Sequence, residues 1–340
     1  MIRYPFAQAP GEGQAVKVAA GVLWMRLPLP MALDHVNVFA LDDGKAWTVV
    51  DTGMASKRGV ELWESLLAGP LGGKPVARVI VTHHHPDHVG MAGWFQARGA
   101  ELLMTRTAWL YARMLVLDVQ AIPTTEQMAF WRQAGMDPAL LAKRGRERPF
   151  NFCDAVAPMP LGFTRMEEDC VIAAGGRDWV VRLGSGHAPD HATLWSVDGK
   201  VVLGGDQLLP GISANIGVYP TEPGANPLHD WLASTQAFAP FATEDQLVLP
   251  GHKLPYRGLP FRLTQMVANH ESALDRLRAF LAVPSTAAEC FSPLFRRDIA
   301  SGEYGLALVE AVAHLNYLLQ RAEVSRSMRA DGAWVWVTRS

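Results

Sequence analysis

Short runs of apolar and β-branched residues, separated by glycine and aspartate, fill the first fifty positions. VKVAAGVLWMRL from Val16, HVNVFAL from His35 and AWTVV from Ala46 read as strands, with a hairpin turn at Asp42-Asp43-Gly44. The period then changes from two to 3.6: in residues 57–68, Val60, Leu62, Trp63, Leu66 and Leu67 recur at helical spacing. GPLGGKP breaks that helix, VARVIVT reads as a buried strand, VGMAGWFQARG as a helix closing on Gly99, and ELLMT as a strand. From residue 107 to about 160 the pattern is helical and rich in methionine and aromatic residues, with a basic run KRGRERP. Such an insertion either covers a cleft or packs its own apolar stripe on the core.

Strands return in CVIAA, DWVVRL, ATLWSV, KVVLGG and QLVLPG. From Leu259 the chain is helical again, in RLTQMVANHESALDRLRAFLA and GLALVEAVAHLNYLLQRAEV. It ends on a hairpin with Asp331-Gly332 at its turn. Helices followed by a hairpin are winged-helix-like. The expected division is therefore residues 1–258, with the insertion at about 107–160, and a smaller unit over 259–340.

Composition narrows the classes. The chain has 340 residues, 49% hydrophobic and 19% charged, enough for a substantial core. A formal net charge of −2 gives no global field toward nucleic acid or anionic lipid. No apolar run has the length of a bilayer span, and MIRYPFAQAPGEGQ lacks the layout of a signal peptide, so a soluble cytoplasmic protein is expected. Cys153, Cys170 and Cys290 form no CxxC pair and read as reduced, buried small hydrophobes.

The chemistry concentrates in THHHPDHVG, residues 82–90. Imidazoles and carboxylates are costly to bury without partners. A strand runs into this stretch, so His83 and His85 share a face and His84 points to the other. Pro86 keeps His85 extended and suits the start of a helix, which places Asp87 and His88 at its amino end. Three later strands repeat one device. DWVVRLGSG leads to His187, KVVLGG to Asp206 and QLVLPG to His252: an apolar strand, glycine, then one metal-ligating side chain.

The set His83-x-His85-x-Asp87-His88, His187, Asp206, His252, with the Asp51-Thr52-Gly53 turn, resembles the metallo-β-lactamase superfamily over most of residues 16–260. The resemblance implies a four-layer αββα sandwich with the site along one edge of its sheets. It further implies a first metal on His83, His85 and His187, a second on Asp87, His88 and His252, and Asp206 bridging the two. Nitrogen and oxygen ligands without thiolate suit two zinc ions, with iron or manganese as alternatives. A bridging hydroxide would be the nucleophile, with Asp87 as the catalytic carboxylate that orients it or carries its proton.

Asp51 and His191 are expected to support these ligands from behind. His35, His229, His270 and His314 have no motif around them and read as surface or packing residues. Two loops are expected to border the site. Residues 27–35 are apolar, and residues 212–223 offer Ser213, Asn215 and Tyr219 to substrate. Lys253 and Arg257 either meet an anionic substrate or belong to a solvated loop. The leading expectation is a dinuclear metal-dependent hydrolase of a small ester, thioester or lactone. The alternatives are a metal-dependent endoribonuclease and a non-catalytic interaction protein that keeps the fold.

LPGHKLPYRGL followed by the winged-helix-like end is similar to one subgroup of the superfamily, which includes bacterial hydrolases and a mammalian endoribonuclease. From residue 260 on, nine Arg and no Lys face eight Asp plus Glu, a net of +1. That is a poor footprint for phosphate backbones. This end is expected to pack on the hydrolase core or to make a homodimer contact; a nucleic-acid partner is disfavoured but stays open, and no membrane partner is expected.

Overall fold

The computed structural model describes residues 1–339. Seven strands form one mixed sheet in chain order: β1 (Val16–Ala19), β2 (Val22–Pro28), β3 (His35–Asp42), β4 (Trp47–Val50), β5 (Val76–Ile80), β6 (Glu101–Thr105) and β7 (Thr164–Met166). β1 to β4 make an antiparallel meander, and β4 to β7 are parallel. Parallel neighbours need crossovers. Helix α1 (Lys57–Ala68) supplies the first, and the short helices α2 (Pro86–Val89) and α3 (Ala92–Gln96) the second. Ser56 caps α1 by accepting from the Gly59 N–H.

A second sheet holds β8 (Val171–Ala174), β9 (Arg177–Gly184), β10 (His191–Ser196), β11 (Val201–Gly205) and β12 (Leu247–Pro250) in the order β12-β11-β10-β9-β8, with only β11–β12 parallel.

Period-two alternation decides the layers. Trp24, Phe39, Leu41 and Ile80 of the first sheet pack with Trp179, Val181, Leu194 and Leu203 of the second. Their neighbours Met25, Val38, Ala40 and Val79 face the opposite way, against Leu62, Trp63 and Leu66 of α1 and Phe95 of α3. β3 and β4 are covered on both faces, which accounts for their almost unbroken apolar runs.

The remaining elements are α4 (Arg106–Leu117), α5 (Thr125–Gln133), α6 (Pro138–Arg144), α7 (Pro227–Phe238), α8 (Leu259–Phe280), α9 (Phe291–Phe295), α10 (Tyr304–Gln320) and the antiparallel hairpin β13 (Val324–Met328)–β14 (Trp334–Thr338). The chain forms two compact units. The first comprises residues 1–119, 150–214 and 240–262 and contains both large sheets; the second comprises 120–149, 215–239 and 263–340. The helical insertion is thus divided: α4 belongs to the first unit, α5 and α6 to the second. Within the second unit α7 packs on α10, and the Asn316 amide on α10 donates to the carbonyls of Pro223 (3.0 Å) and Ala225 (2.9 Å).

Among the described residues no helix is long and apolar enough to cross a membrane. The cysteines depart from expectation at two positions, since Cys170 is only partly buried. Cys290 is buried, but Cys153, in a single 3-10 turn over Phe152–Asp154, is exposed.

Candidate metal centre

The centre is assembled where β4, β5, β9, β11 and β12 end. Asp51 follows β4 at φ 58°, a left-handed conformation that aspartate tolerates better than most residues. Its carboxylate accepts from the Thr82 N–H (2.8 Å) and the Thr82 hydroxyl (2.9 Å), which ties the end of β4 to the end of β5. The next residue, Thr52, grips α2: its N–H and hydroxyl both donate to the His88 carbonyl, at 2.9 and 2.8 Å. Gly90 completes the fit, since a Cβ there would sit 2.4 Å from the Gly53 carbonyl oxygen.

The outward nitrogen of each of three imidazoles is occupied. His83 Nδ1–H donates to Thr82 Oγ (3.0 Å), whose own proton goes to Asp51. His88 Nδ1–H donates to Asp51 (2.8 Å), and His252 Nδ1–H to the His35 carbonyl (2.7 Å). Each bond turns Nε2 inward, where a cation would need it.

Inside, His85 Nδ1 lies 3.0 Å from His83 Nε2 and 2.9 Å from His187 Nε2. Asp206 Oδ2 is 3.5 Å from His187 Nε2 and 3.2 Å from His252 Nε2, while Oδ1 is 3.4 Å from His88 Nε2. Asp87 Oδ2 lies 3.5 Å from His88 Nε2 and 3.4 Å from His252 Nε2. The ligand atoms group as His83/His85/His187, His83/His88/Asp206 and Asp87/His88/His252, each within 4.8 Å.

His88 Nε2 and Asp206 Oδ1 are buried without a hydrogen bond, although leaving such groups unsatisfied is expensive. A divalent cation would satisfy both, so the donor set fits one. Glycine is required alongside: a Cβ at Gly251 would lie 2.2 Å from Asp206 Oδ1 and 2.8 Å from His88 Cε1.

The site is electrostatically split. Burial, reinforced by neighbouring imidazoles, holds His83 and His85 well below the usual imidazole range. At His88 burial works the same way, but Asp206, Asp87 and Asp51 outweigh it and raise the ring well above that range. At His252 burial is likewise outweighed, chiefly by Asp206, which pushes the ring up to about 10. Asp206 and Asp87 stay ionised: burial opposes this, but His252 and His88 hold Asp206 well below the carboxylate range, and His88 and His252 hold Asp87 below it.

The structure brings His83, His85, Asp87, His88, His187, Asp206 and His252 together and leaves His84 outside the three ligand groups, against Tyr111 at 5.2 Å between ring centroids. Asp51 makes the contacts given above. His191 stacks on His83 (4.5 Å, 23°) and accepts the Asp206 N–H at 3.1 Å. Asn215 gives its amide to Glu310 (2.7 Å) and to the Leu306 carbonyl (3.2 Å); Ser213 and Tyr219 are exposed. In the apolar loop Leu29 is buried in the core and Met31 is exposed. Arg257 donates to the Asp245 carbonyl.

Sequence reading missed His35. It is buried, donates from Nδ1 to Asp34 (2.6 Å), accepts the Lys253 N–H at Nε2 (2.9 Å), and holds His252 through its carbonyl. Lys253, at φ 70°, is held further by Arg26 (2.9 Å) and Asn37 (2.8 Å) on its carbonyl. His252 and Lys253, which His35 holds, lie more than 200 positions away, so no local pattern marks this role; the Asp34-His35 pair opening a strand was the one signal available.

Comparison with known proteins agrees with this geometry. The profile of the metallo-beta-lactamase superfamily matches residues 31–277, and that of the metallo-beta-lactamase-like C-terminal domain matches residues 274–339. A probable metallo-hydrolase of Bacillus subtilis (strain 168), YqjP, is 24% identical over 303 residues, 87% of this chain and 92% of that protein. A beta-lactamase domain protein from Burkholderia ambifaria superposes with a TM-score of 0.89 at 35% identity, over 99% of this chain and 97% of the other. The metallo-beta-lactamase family protein TTHA1429 from Thermus thermophilus gives a TM-score of 0.78 at 26% identity, over 95% of this chain and all of the other. The chain therefore belongs to the metallo-β-lactamase superfamily, with its mixed α/β fold and the associated C-terminal domain, and is a metal-dependent hydrolase.

Proposed function

We propose that the centre holds two zinc ions, one on His83, His85 and His187 and one on Asp87, His88 and His252, with Asp206 between them, and that it hydrolyses a small ester, thioester or lactone. The observation that carries this reading is the pair of buried atoms without hydrogen bonds, His88 Nε2 and Asp206 Oδ1, 3.4 Å apart at the meeting point of the two groups. All donors are imidazole or carboxylate, which suits zinc. When bound, the metal pair supplies Lewis acidity: it lowers the pKa of a coordinated water and polarises the carbonyl to be attacked.

The protein's own groups do the rest. Asp51, Thr82 and the His35 carbonyl fix three rings in the tautomer that faces inward. Asp87, whose side chain is 18% exposed against 8% for Asp206, is the carboxylate open to an attacking water and takes up its proton. Asp51 and His191 act behind the ligands. Ser213, Asn215 and Tyr219 remain the polar candidates for the substrate side. Residues 1–258 are read as the catalytic part and 259–340 as a winged-helix-like unit built on α8, α9, α10 and the terminal hairpin. Its near-balanced charge supports packing rather than nucleic-acid binding.

The test is metal analysis of the purified chain beside a panel of esters, thioesters, lactones and single-stranded RNA. About two ions per chain and turnover of an acyl substrate are expected. Asp206→Ala should lose metal and turnover together. Fewer than one ion per chain, full activity in that variant, or cleavage of RNA alone would overturn the reading.

A further inference from the structure

We propose that an apolar subsite leads from the metal centre along α4 and takes the alkyl or aryl part of the substrate's acyl group; this rests on the ester, thioester or lactone reading above. Three observations converge. The first is a continuous row of rings. His85, in the first metal group, lies 4.7 Å from His84 between centroids, and His84 lies 5.2 Å from Tyr111 and stacks at 16° on Phe152, 6.3 Å away. Phe152 in turn meets Phe150 at 6.3 Å, and Phe150 is 61% exposed. The row thus runs from a metal-facing imidazole to the protein surface.

The second observation is the face α4 presents. Its buried residues are the small Ala108 and Ala112. Leu110, Met114 and Leu117, spaced i, i+4, i+7, are instead 53%, 45% and 66% exposed. A helix of a globular protein normally turns such a stripe inward. Met114 is three residues from Tyr111, so the stripe adjoins the ring row. From Tyr111 to Leu117 the helix advances about 9 Å at ~1.5 Å per residue, room for an extended acyl chain rather than an acetyl group. Arg113, the basic residue between Tyr111 and Met114, is turned to the Met159 carbonyl at 2.5 Å, so the surface offers apolar contact rather than charge.

The third is His84 itself, buried with Nδ1 lacking a hydrogen bond. It is an unpartnered polar atom where the ring row meets His85 of the first metal group.

The experiment uses the zinc-loaded full chain and two readouts. One is kcat/KM for p-nitrophenyl acetate, butyrate, hexanoate and octanoate. The other is calorimetric binding of the matching carboxylates, which needs no turnover. Both should improve about threefold per added methylene, as expected for a mostly buried chain. Met114→Gln and Tyr111→Ala should flatten both slopes toward one. Met114 lies on the exposed face, so that variant should fold; Val197→Gln, exposed in the turn after β10, is the control that keeps the slopes.

If no ester is turned over but carboxylate binding keeps a slope that the variants remove, the subsite stands and the substrate reading falls. If esters are turned over with no dependence on chain length, or the slopes survive both variants, the subsite is overturned and the hydrolase reading stands. If Met114→Gln converts a dimer to a monomer without changing either slope, the stripe is a contact between copies and the subsite is overturned. Absence of both turnover and binding overturns both.

Discussion

A metal ligand is only as good as the atom behind it, and Asp51 shows this at the scale of one residue. Its carboxylate is shared among His88 Nδ1, the Thr82 N–H and the Thr82 hydroxyl. Through Thr82 it also sets the His83 tautomer, so one side chain orients rings belonging to both proposed metals. Asp51→Ala should therefore weaken metal binding by about 10–100-fold without removing a ligand. The same change leaves the buried Thr82 N–H without its acceptor, which should cost about 1–3 kcal/mol of stability. Chelator competition measures the first effect and urea unfolding the second. Loss of stability with unchanged metal affinity would mean that Asp51 only ties β4 to β5.

At the scale of elements, the centre depends on strands that stop where a side chain must begin. β11 ends at Gly205, with φ 47°, and β12 runs into Gly251. Gly251→Ala should push Asp206 and His88 apart and drop bound metal well below that of the parent chain, as measured by elemental analysis. Gly199→Ala is the matched control: nothing lies within 4 Å of its added Cβ, so only the strained φ of 69° is felt, about 1 kcal/mol, and metal content should hold. Equal metal in both variants would show that the strand-end glycines serve the backbone alone.

These strand ends were legible in the sequence because each combines a local apolar run, glycine and one ligand within about ten residues. The histidine-rich box was legible for the same reason. What sequence reading missed has no local trace. His35 holds His252 across 217 positions, and Cys153 is exposed in a turn that no periodicity describes. The division of the insertion between two units also depends on contacts far apart in the chain: the Ala134 carbonyl in the insertion accepts the N–H of Ala288.

At the scale of the whole molecule, the centre couples proton and metal binding to the joining of two sheets. Its ligands stand at the ends of β5 and α2 in the first sheet layer and of β9, β11 and β12 in the second. Without metal, His88 and His252 carry protons held by Asp206 and Asp87, whereas His83 and His85 are neutral and both carboxylates are already ionised. A cation needs the lone pairs of His88 and His252, so loading must expel about two protons near pH 7.

The sign follows from the raised values. Below the folded-state pKa of about 10 at His252, each unit of falling pH makes deprotonation harder, so metal affinity falls on acidification and rises with pH. Two displaced protons amount to about 100-fold in apparent affinity per pH unit between pH 6 and 8, at ~1.4 kcal/mol per proton. Because the metal binds only the folded chain, the gain in Tm on loading at fixed free zinc should widen with pH over that window. Indicator-dye titration of the metal-free chain in weak buffer counts the protons directly. Release of fewer than one proton per loaded chain, or a Tm gain that shrinks as pH rises from 6 to 8, would mean that the carboxylates do not hold His88 and His252 charged, and that the centre's charge is balanced by groups other than Asp87 and Asp206.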